Sequence, residues 1–110
     1  LDVSAMGKAA GILVGTHDFA GFTDRKDEKS TIRRIYDIMI ERQGEKVVIT
    51  YRGSGFMYHM VRILTGTLLE VGSGMRSIES VGAALESKVR ADAGFLAPAS
   101  GLTLREVYYH

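Results

Sequence analysis

The sequence predicts an α+β fold in which an antiparallel sheet has helices packed on one face and a cleft on the other. A run rich in β-branched residues at 30–43 and an alternating run at 47–52 indicate a pair of strands. Apolar residues recur with helical spacing at 3–14 and 53–72. The resulting order is helix, strand, strand, helix, helix, strand. This order is typical of α+β proteins and leaves one sheet face free to line a cleft.

The first helix is predicted over residues 3–14, with Asp2 or Ser4 as the N-cap. Five residues share its apolar side: Ala5, Met6, Ala9, Ala10 and Leu13. Glycine occurs at every fourth position from Gly7 to Gly15, a spacing that lets backbones approach closely. The short length of the helix argues against a membrane-spanning dimer, so we expect these glycines to pack on a sheet.

The segment Gly15-Thr-His-Asp-Phe-Ala-Gly-Phe22 reads as a turn whose two aromatic residues close over the core. His17 beside Asp18 could form a polarised base, but adjacent histidine and aspartate residues are common and a structural role is favoured.

A mixed run of charges, Asp24-Arg-Lys-Asp-Glu-Lys29, follows the turn and is typical of a solvated loop. Its basic residues Arg25, Lys26 and Lys29 could also contact phosphates, although the neighbouring carboxylates dilute such a patch.

The predicted strand pair has imperfect alternation. One face of the first strand carries four apolar residues interrupted by Arg34: Ile32, Tyr36, Ile38 and Ile40. The other face carries polar and apolar residues together: Arg33, Ile35, Asp37, Met39 and Glu41. Arg33, Arg34 and Arg52 could therefore stand on or beside one sheet surface as phosphate ligands. The alternative is an ordinary solvated sheet face.

The longest helix is predicted to follow Gly53, with Ser54 as its N-cap and Gly72 at its end. Its core-facing stripe has helical spacing: Met57, Met60, Val61, Leu64, Leu68 and Val71.

One cation interrupts this apolar helix. Arg62 lies between Val61 and Ile63 and has no acidic residue three or four positions away. Its side chain could reach solvent along a half-exposed face. Alternatively, it is held at the edge of the core to meet an anion, because a buried charge needs a partner. That partner would come from elsewhere in the fold or from outside the chain.

The remaining elements are a short helix, a connection and a last strand. Ser77 is a plausible cap for a helix that ends near Ser87. Residues 88–100 are predicted to be a connection in which Phe95 and Leu96 point inward, followed by a strand over 102–109.

Composition sets broad limits on function. A chain of 110 residues forms one domain, and a net charge of +1 does not by itself indicate a nucleic-acid binder. The absence of cysteine fits a reducing, cytoplasmic compartment, and three dispersed histidines have no metal-ligand spacing. No apolar run reaches membrane-spanning length, and no signal peptide is visible. The start at Leu1 suits an excised piece of a longer protein.

Three collinear motifs resemble a known family. They are Phe56-Met-Tyr-His-Met-Val-Arg62 with Gly66-Thr-Leu-Leu-Glu-Val-Gly72, the earlier segment 15–22, and Ala97-Pro-Ala-Ser-Gly-Leu-Thr-Leu104. Together they resemble the ferredoxin-like C-terminal half of TruA-type tRNA pseudouridine synthases. The resemblance implies that the catalytic aspartate lies in an absent N-terminal half, so this piece is expected to be inactive alone. The family often has Tyr where this chain has Thr103.

The resemblance also implies roles for individual residues. Arg62 would support the aspartate nucleophile, and Leu102 would pack against the target base. Three further residues would line the substrate pocket: Phe56, Tyr58 and His59. Six residues would contact RNA: His17, Arg25, Lys26, Arg33, Arg34 and Arg52.

The implied substrate is the anticodon stem-loop of tRNA, bound across a homodimer without metal or cofactor. Two alternatives remain open: a stand-alone α+β RNA-binding module that uses its open sheet face, and a structural or dimerisation domain.

Overall fold

A computed structural model of the chain describes residues 1–98 in full and residues 103–108 as a strand without their side chains. The helices are α1 (Val3–Leu13), α2 (Met60–Gly72) and α3 (Glu79–Ser87). The strands are β1 (Gly15–Asp18), β2 (Ile32–Gln43), β3 (Lys46–Gly53) and β4 (Thr103–Tyr108). Single 3-10 turns occupy Ala20–Phe22 and Arg90–Asp92.

The strands form one sheet in the order β1-β2-β3-β4. The first three strands are antiparallel, which confirms the predicted hairpin, and β4 runs parallel to β3. The chain reaches β4 only after passing through two helices and a connection, as a parallel pair requires. The α+β class is confirmed, but the sheet is mixed rather than wholly antiparallel. The segment 15–18 is an edge strand, where a turn was predicted.

A bulge in β2 explains the imperfect alternation of the sequence. The register with β3 shifts between Ile35 and Asp37, which inserts one extra residue and reverses the side-chain alternation. Ile35 is 1% exposed, whereas Ile32 is 56% and Tyr36 is 37% exposed. The predicted faces are therefore wrong for Ile32 and Tyr36, which lie on the open side of the sheet. Ile38, after the bulge, packs against the core.

The core lies between the helices and one face of the sheet. Val47, Ile49 and Tyr51 point into it from β3, in line with the alternating run at 47–52. Phe19 and Phe22 are fully buried, so the prediction that two aromatic residues close over the core is confirmed. Burying each of these large side chains stabilises the fold by about 1.5–3 kcal/mol. Tyr51 keeps a polar partner inside the core, since its hydroxyl lies 2.7 Å from Thr65 Oγ1.

Helix α1 begins at a side-chain cap. The carboxylate of Asp2 accepts a hydrogen bond of 3.0 Å from the backbone N–H of Ala5. The apolar side that contains Met6 and Leu13 is buried. A Cβ added at Gly7 or Gly11 would meet nothing within 4 Å, so the expectation that these glycines pack on a sheet is wrong.

Helix α2 begins later than predicted. Its N-cap is His59, whose φ of 63° lies in the left-handed region. Ser54 does not cap the helix, because its hydroxyl accepts a hydrogen bond of 3.0 Å from the N–H of Arg34. Its own N–H donates to the Arg34 carbonyl at 2.8 Å. Ser54 thus extends the pairing of the strands, and residues 54–59 form a loop.

Helix α3 ends at Ser87 as predicted, but its N-cap position is Ile78 and not Ser77. The hydroxyl of Ser77 still accepts a hydrogen bond of 3.2 Å from the N–H of Ser80. The connection that follows runs across α2. Phe95 is 47% exposed, so its predicted inward orientation is wrong, and the neighbouring Ala97 is fully buried instead. Within the described part of the chain, no helix has both the length and the apolar character needed to cross a membrane.

Candidate functional site

The first turn of α2 carries the half-buried side chain of Arg62. Its neighbours Val61 and Ile63 are 3% and 0% exposed, so the guanidinium leaves the helix at the edge of the core. The N-terminus of a helix carries partial positive charge, so a cation there is disfavoured by about 0.3–1 kcal/mol. No acidic residue occupies this first turn. The same arrangement is favourable for an anion, which would meet both the guanidinium and the helix terminus.

Residues 93–97, here called the crossing segment, fix one edge of the Arg62 side chain. The Nε of Arg62 donates a hydrogen bond of 2.7 Å to the carbonyl oxygen of Ala97. In return, the N–H of Ala97 donates to the Arg62 carbonyl at 3.1 Å. This reciprocal pair orients the guanidinium relative to the backbone of α2.

The close contact between the backbone of α2 and that of the crossing segment depends on a glycine in each. A Cβ at Gly66 would lie 1.8 Å from the carbonyl oxygen of Phe95, and one at Gly94 would lie 2.5 Å from the backbone of Thr67. The N–H of Gly94 donates to the Thr67 hydroxyl at 2.8 Å. The crossing segment therefore lies directly on the helix that carries Arg62.

The guanidinium of Arg62 forms no ion pair with a carboxylate in residues 1–98. Glu70, the acidic residue nearest in sequence on α2, lies 3.3 Å from Arg76 instead. It also accepts a hydrogen bond of 3.2 Å from the N–H of Phe95. The cation is thus oriented by a carbonyl and available to an anion.

A second polar cluster stands beside the N-terminus of α2. One carboxylate oxygen of Asp24 lies 2.8 Å from Nδ1 of His59, and the other accepts a hydrogen bond of 3.0 Å from Nε of Arg90. Arg90 in turn donates to the carbonyl of Gly94 at 2.7 Å, which links the cluster to the crossing segment.

The hydrogen bond from His59 lowers the pKa of the Asp24 carboxyl below its usual value of 3.8. Partial desolvation opposes this shift, and Arg90 adds to it through a hydrogen bond and through its charge. Asp24 is therefore held ionised at neutral pH.

Tyr58 and His59 form a stacked pair at the surface. Their ring centroids are 3.7 Å apart and their planes differ by 24°. The backbone of Tyr58 is held by the hydroxyl of Thr23, which donates to its carbonyl at 2.8 Å. Tyr58 is nevertheless 60% exposed. The structure thus brings these two predicted pocket residues together within one turn of Arg62.

Phe56 occupies a different environment from the stacked pair. It is half-buried and meets Tyr51 edge to face, with ring centroids 6.3 Å apart. Leu102 lies outside the described residues, so its predicted contact with the target base stays a prediction.

The residues predicted to contact RNA do not form one patch. Arg34 and Arg52 both lie on the open side of the sheet, where Arg34 covers the ring of Tyr36 at 5.3 Å and Arg52 pairs with Asp37 at 3.1 Å. Arg33 has the opposite side-chain direction and donates to the carbonyls of Ser30 and Ile32.

Of the other three predicted RNA contacts, His17 lies in β1, and Arg25 and Lys26 lie in the loop that follows. Nε2 of His17 lies 3.0 Å from the carbonyl of Val14. Arg25 donates to the carbonyls of Lys29 and Ser30 within its own loop, while Lys26 is exposed. The Arg25 side chain thus stabilises its own loop through these hydrogen bonds.

The sequence did not identify Asp24 and Arg90 as partners of His59. These residues are separated from each other by 66 positions, and Asp24 is 35 positions from His59. Neither lies in a motif with His59, so no local pattern could have joined them. In the described residues, no group of three or more His, Cys, Asp or Glu side chains could hold a metal ion.

Comparison with known proteins identifies similar chains. A family model described as tRNA pseudouridine synthase matches residues 9–110. The tRNA pseudouridine synthase A of Halalkalibacterium halodurans is 48% identical over 103 residues, which are 93% of this chain and 39% of that protein. The synthase A of Brevibacillus brevis is 46% identical over 110 residues, 99% of this chain and 45% of the relative. That of Geotalea uraniireducens is 44% identical, with the same two coverages of 99% and 45%. The chain thus spans less than half the length of these curated relatives.

Proposed function

The chain belongs to the tRNA pseudouridine synthase family, and we propose that it is the C-terminal half of an enzyme that isomerises uridine to pseudouridine in tRNA. The observation that carries this proposal is the half-buried Arg62, which has no carboxylate partner in residues 1–98. The remainder of the parent enzyme would supply the aspartate nucleophile. This chain alone would then supply only one half of the active site, which is called the half-site below.

The proposed role of Arg62 follows from the needs of the reaction. The enzyme breaks the glycosidic bond of uridine, turns the base and rejoins it to the ribose through carbon. An aspartate that acts covalently must be ionised in a pocket that excludes water, where desolvation raises its pKa. A guanidinium within about 4–6 Å opposes that rise, and arginine does so bidentately while staying protonated.

The geometry around Arg62 suits this role. The carbonyl of Ala97 accepts from Nε, and no described residue accepts a hydrogen bond from the two terminal nitrogens of the guanidinium, which suits them to a carboxylate. The N-terminus of α2 adds positive potential at the same place. Because the orientation is set before the aspartate arrives, little side-chain entropy remains to be lost.

The substrate and the partners are part of the proposal. We infer that the parent enzyme acts on the anticodon stem-loop of tRNA as a homodimer in the cytoplasm, without metal or cofactor. Leu102 and Phe56 would line the base pocket. Phosphate contacts would come from Arg34 and Arg52 on the open sheet face, since a net charge of +1 leaves no general basic field.

A stand-alone RNA-binding module is the second candidate function. The observation that favours it is the position of Tyr36, which the bulge turns onto the open side of the sheet at 37% exposure. RNA-binding sheets use such exposed aromatic residues to stack bases. Tyr51, the tyrosine of the neighbouring strand β3, is fully buried and cannot stack on a base.

The test uses a fused enzyme in which this chain replaces the matching part of the Brevibacillus brevis relative. Tritium release from uridine-labelled tRNA measures its activity. Arg62→Ala should lower kcat by about 100-fold or more, since removing one preorganised electrostatic partner typically has that effect. Arg62→Lys should restore only part of the activity, because lysine cannot bind a carboxylate bidentately.

The matched control is Arg42→Ala, which removes an exposed arginine whose hydrogen bond goes to the carbonyl of Leu1. Its activity should equal that of the unmodified fusion. An Arg62→Ala variant that releases tritium at the unmodified rate contradicts the proposed role. An unmodified fusion that binds tRNA but releases no tritium favours the RNA-binding module.

A further inference from the structure

We propose that the stacked pair Tyr58 and His59 is a platform on which one unpaired RNA base stacks, next to the target uridine. The ligand is a nucleobase, recognised through its flat face. This inference rests on the proposed function, because it takes the ligand to be RNA. It gives His59 a task that the role of Arg62 does not require.

The first support is the geometry of the pair. The rings lie 3.7 Å apart and nearly parallel, so one face of Tyr58 is already covered by an imidazole. Tyr58 is 60% exposed, whereas the side chain of His59 is 23% exposed. The outer face of the Tyr58 ring can therefore take a third flat group on top of the stack that Tyr58 and His59 already form. Nucleobases stack on such aromatic surfaces regardless of sequence.

The second support is the rigidity of the pair. The His59 ring is held by the Asp24 carboxylate at 2.8 Å, and Asp24 is held by Arg90 at 3.0 Å. The backbone is fixed from both sides, because Thr23 donates to the Tyr58 carbonyl and Ile63 donates to the His59 carbonyl. A surface aromatic held this firmly loses little conformational freedom when a ligand binds.

The third support is the backbone of His59. Its φ of 63° is costly for a residue other than glycine, and such conformations persist where the surroundings impose them. Here the conformation turns the chain into α2 while keeping the imidazole between Tyr58 and Asp24. A glycine would relieve the strain but would remove the ring from the stack.

The position of the pair indicates which base it holds. His59 caps α2 and Arg62 follows one turn later, about 5 Å along the axis at a rise of about 1.5 Å per residue. An enzyme that turns a base out of its stack deprives the neighbouring base of its stacking partner. An aromatic surface beside the catalytic cation can replace that partner.

The charges of the cluster favour a base over a phosphate. Asp24 would repel a phosphate, and the cation nearest to it, Arg90, is already paired with it at 3.0 Å. The exposed element of the cluster is a neutral phenol ring. The dependence of affinity on salt should therefore be the same with and without Tyr58, since phosphate contacts set that dependence.

The test places 2-aminopurine, a fluorescent base, beside the target uridine of an anticodon stem-loop and measures binding to the fused enzyme. Unmodified enzyme should quench the fluorescence by stacking. Tyr58→Ala should abolish the quenching and weaken binding about 10-fold, with an unchanged salt slope, whereas Tyr58→Phe should retain both properties. Asp24→Asn should give partial quenching, because it loosens His59 without removing a ring.

Control and contrary outcomes separate this proposal from its alternatives. Met75→Ala removes a 75% exposed side chain elsewhere and should change neither signal. Full quenching and affinity in Tyr58→Ala would overturn the platform, while tritium release by that variant would leave the proposed function standing. A fusion that neither binds tRNA nor releases tritium would instead overturn the proposed function.

A protein contact at Tyr58 has its own signature. If the N-terminal half covers this ring, Tyr58→Ala should lower the Tm of the fused enzyme but not the Tm of this chain alone. That result, together with unchanged quenching, would reassign the surface to contact between the two halves.

Discussion

At the scale of single residues, the three arginines near the site, Arg62, Arg76 and Arg90, differ in the groups that they bind. Arg76 forms an ion pair with Glu70 and donates a hydrogen bond to the carbonyl of Asp92, and Arg90 forms an ion pair with Asp24. Arg62 has only the carbonyl of Ala97 among the described residues. Arginine side chains near the core are normally paired, and this difference supports the proposal that Arg62 meets an anion that the described residues do not supply.

The pKa of Asp24 predicts how the stability of the chain responds to acid. Its carboxyl has a lower pKa in the folded chain than its usual 3.8, mainly because of the hydrogen bond from His59. Ionised Asp24 therefore stabilises the fold above about pH 3.8, and this contribution is lost as the pH falls through the lower, folded pKa. Asp24→Asn should be less stable at neutral pH and should lose less further stability below pH 4.

Urea denaturation between pH 2.5 and 7 measures this effect. Glu45→Gln, an exposed change in the turn between β2 and β3, should leave the pH profile of the free energy of unfolding unchanged. A profile of Asp24→Asn that runs parallel to that of the unmodified chain would show that the His59 and Arg90 contacts do not stabilise the fold.

Residue-level reasoning from the sequence succeeded where a pattern was local. The lack of an acidic residue within one turn of Arg62 could be read directly, and the structure places none of the described carboxylates against it. The link from Asp24 to His59 could not be read, because loop closure over 35 positions leaves no periodic signal. Contacts between residues far apart in the sequence are created by the fold, so the spacing of residues along the chain does not predict them.

At the scale of elements, the position of α2, which carries Arg62, depends on the crossing segment that packs against it. The crossing segment and α2 touch backbone to backbone at Gly66 and Gly94. Helical periodicity correctly predicted the core stripe of α2 but not its start, because the apolar Met57 continues the pattern into the loop. The left-handed turn at His59 ends that continuity, and the modest preference of histidine for this conformation is too weak to predict it.

The contact at Gly66 leads to a prediction with a matched control. Gly66→Ala would place Cβ 1.8 Å from the carbonyl oxygen of Phe95, so the crossing segment must move. The expected loss of stability is about 1–3 kcal/mol, as for other overpacked sites. Gly11→Ala in α1 meets nothing within 4 Å and should instead stabilise the chain by about 0.5–1 kcal/mol.

Urea denaturation of both variants checks this prediction, and the fused enzyme adds a second measurement. Movement of the crossing segment also displaces the Ala97 carbonyl, so Gly66→Ala should lower kcat while Gly11→Ala leaves it unchanged. Equal stabilities of the two variants would mean that the segment yields without cost and does not position Arg62.

At the scale of the whole molecule, the α+β class could be predicted because it depends on the order of the elements. The course of β2 could not, because the bulge between Ile35 and Asp37 reverses the alternation on which face assignments depend. The parallel direction of β4 also escaped prediction, since an isolated apolar run carries no information on strand direction. The bulge decides which side chains of β2 lie on the open sheet face.

The whole chain should fold alone and yet be inactive. Among the described residues, large fully buried side chains form one cluster between the helices and the sheet, so we expect the core to form without another chain. The anion that would complete the site at Arg62 is not among the described carboxylates. We therefore expect this chain to fold without being catalytically active.

We accordingly expect cooperative thermal unfolding of the isolated chain by circular dichroism, with no tritium release from uridine-labelled tRNA. The fused enzyme should release tritium, and Arg62→Ala should lower that activity by about 100-fold or more without changing the Tm of the isolated chain by more than a few degrees. The reason is that Arg62 makes one side-chain hydrogen bond and no ion pair with the described residues. Tritium release by the isolated chain would contradict the half-site, because these residues would then contain the nucleophile. A large fall in Tm on Arg62→Ala would assign the guanidinium to the fold rather than to an external carboxylate.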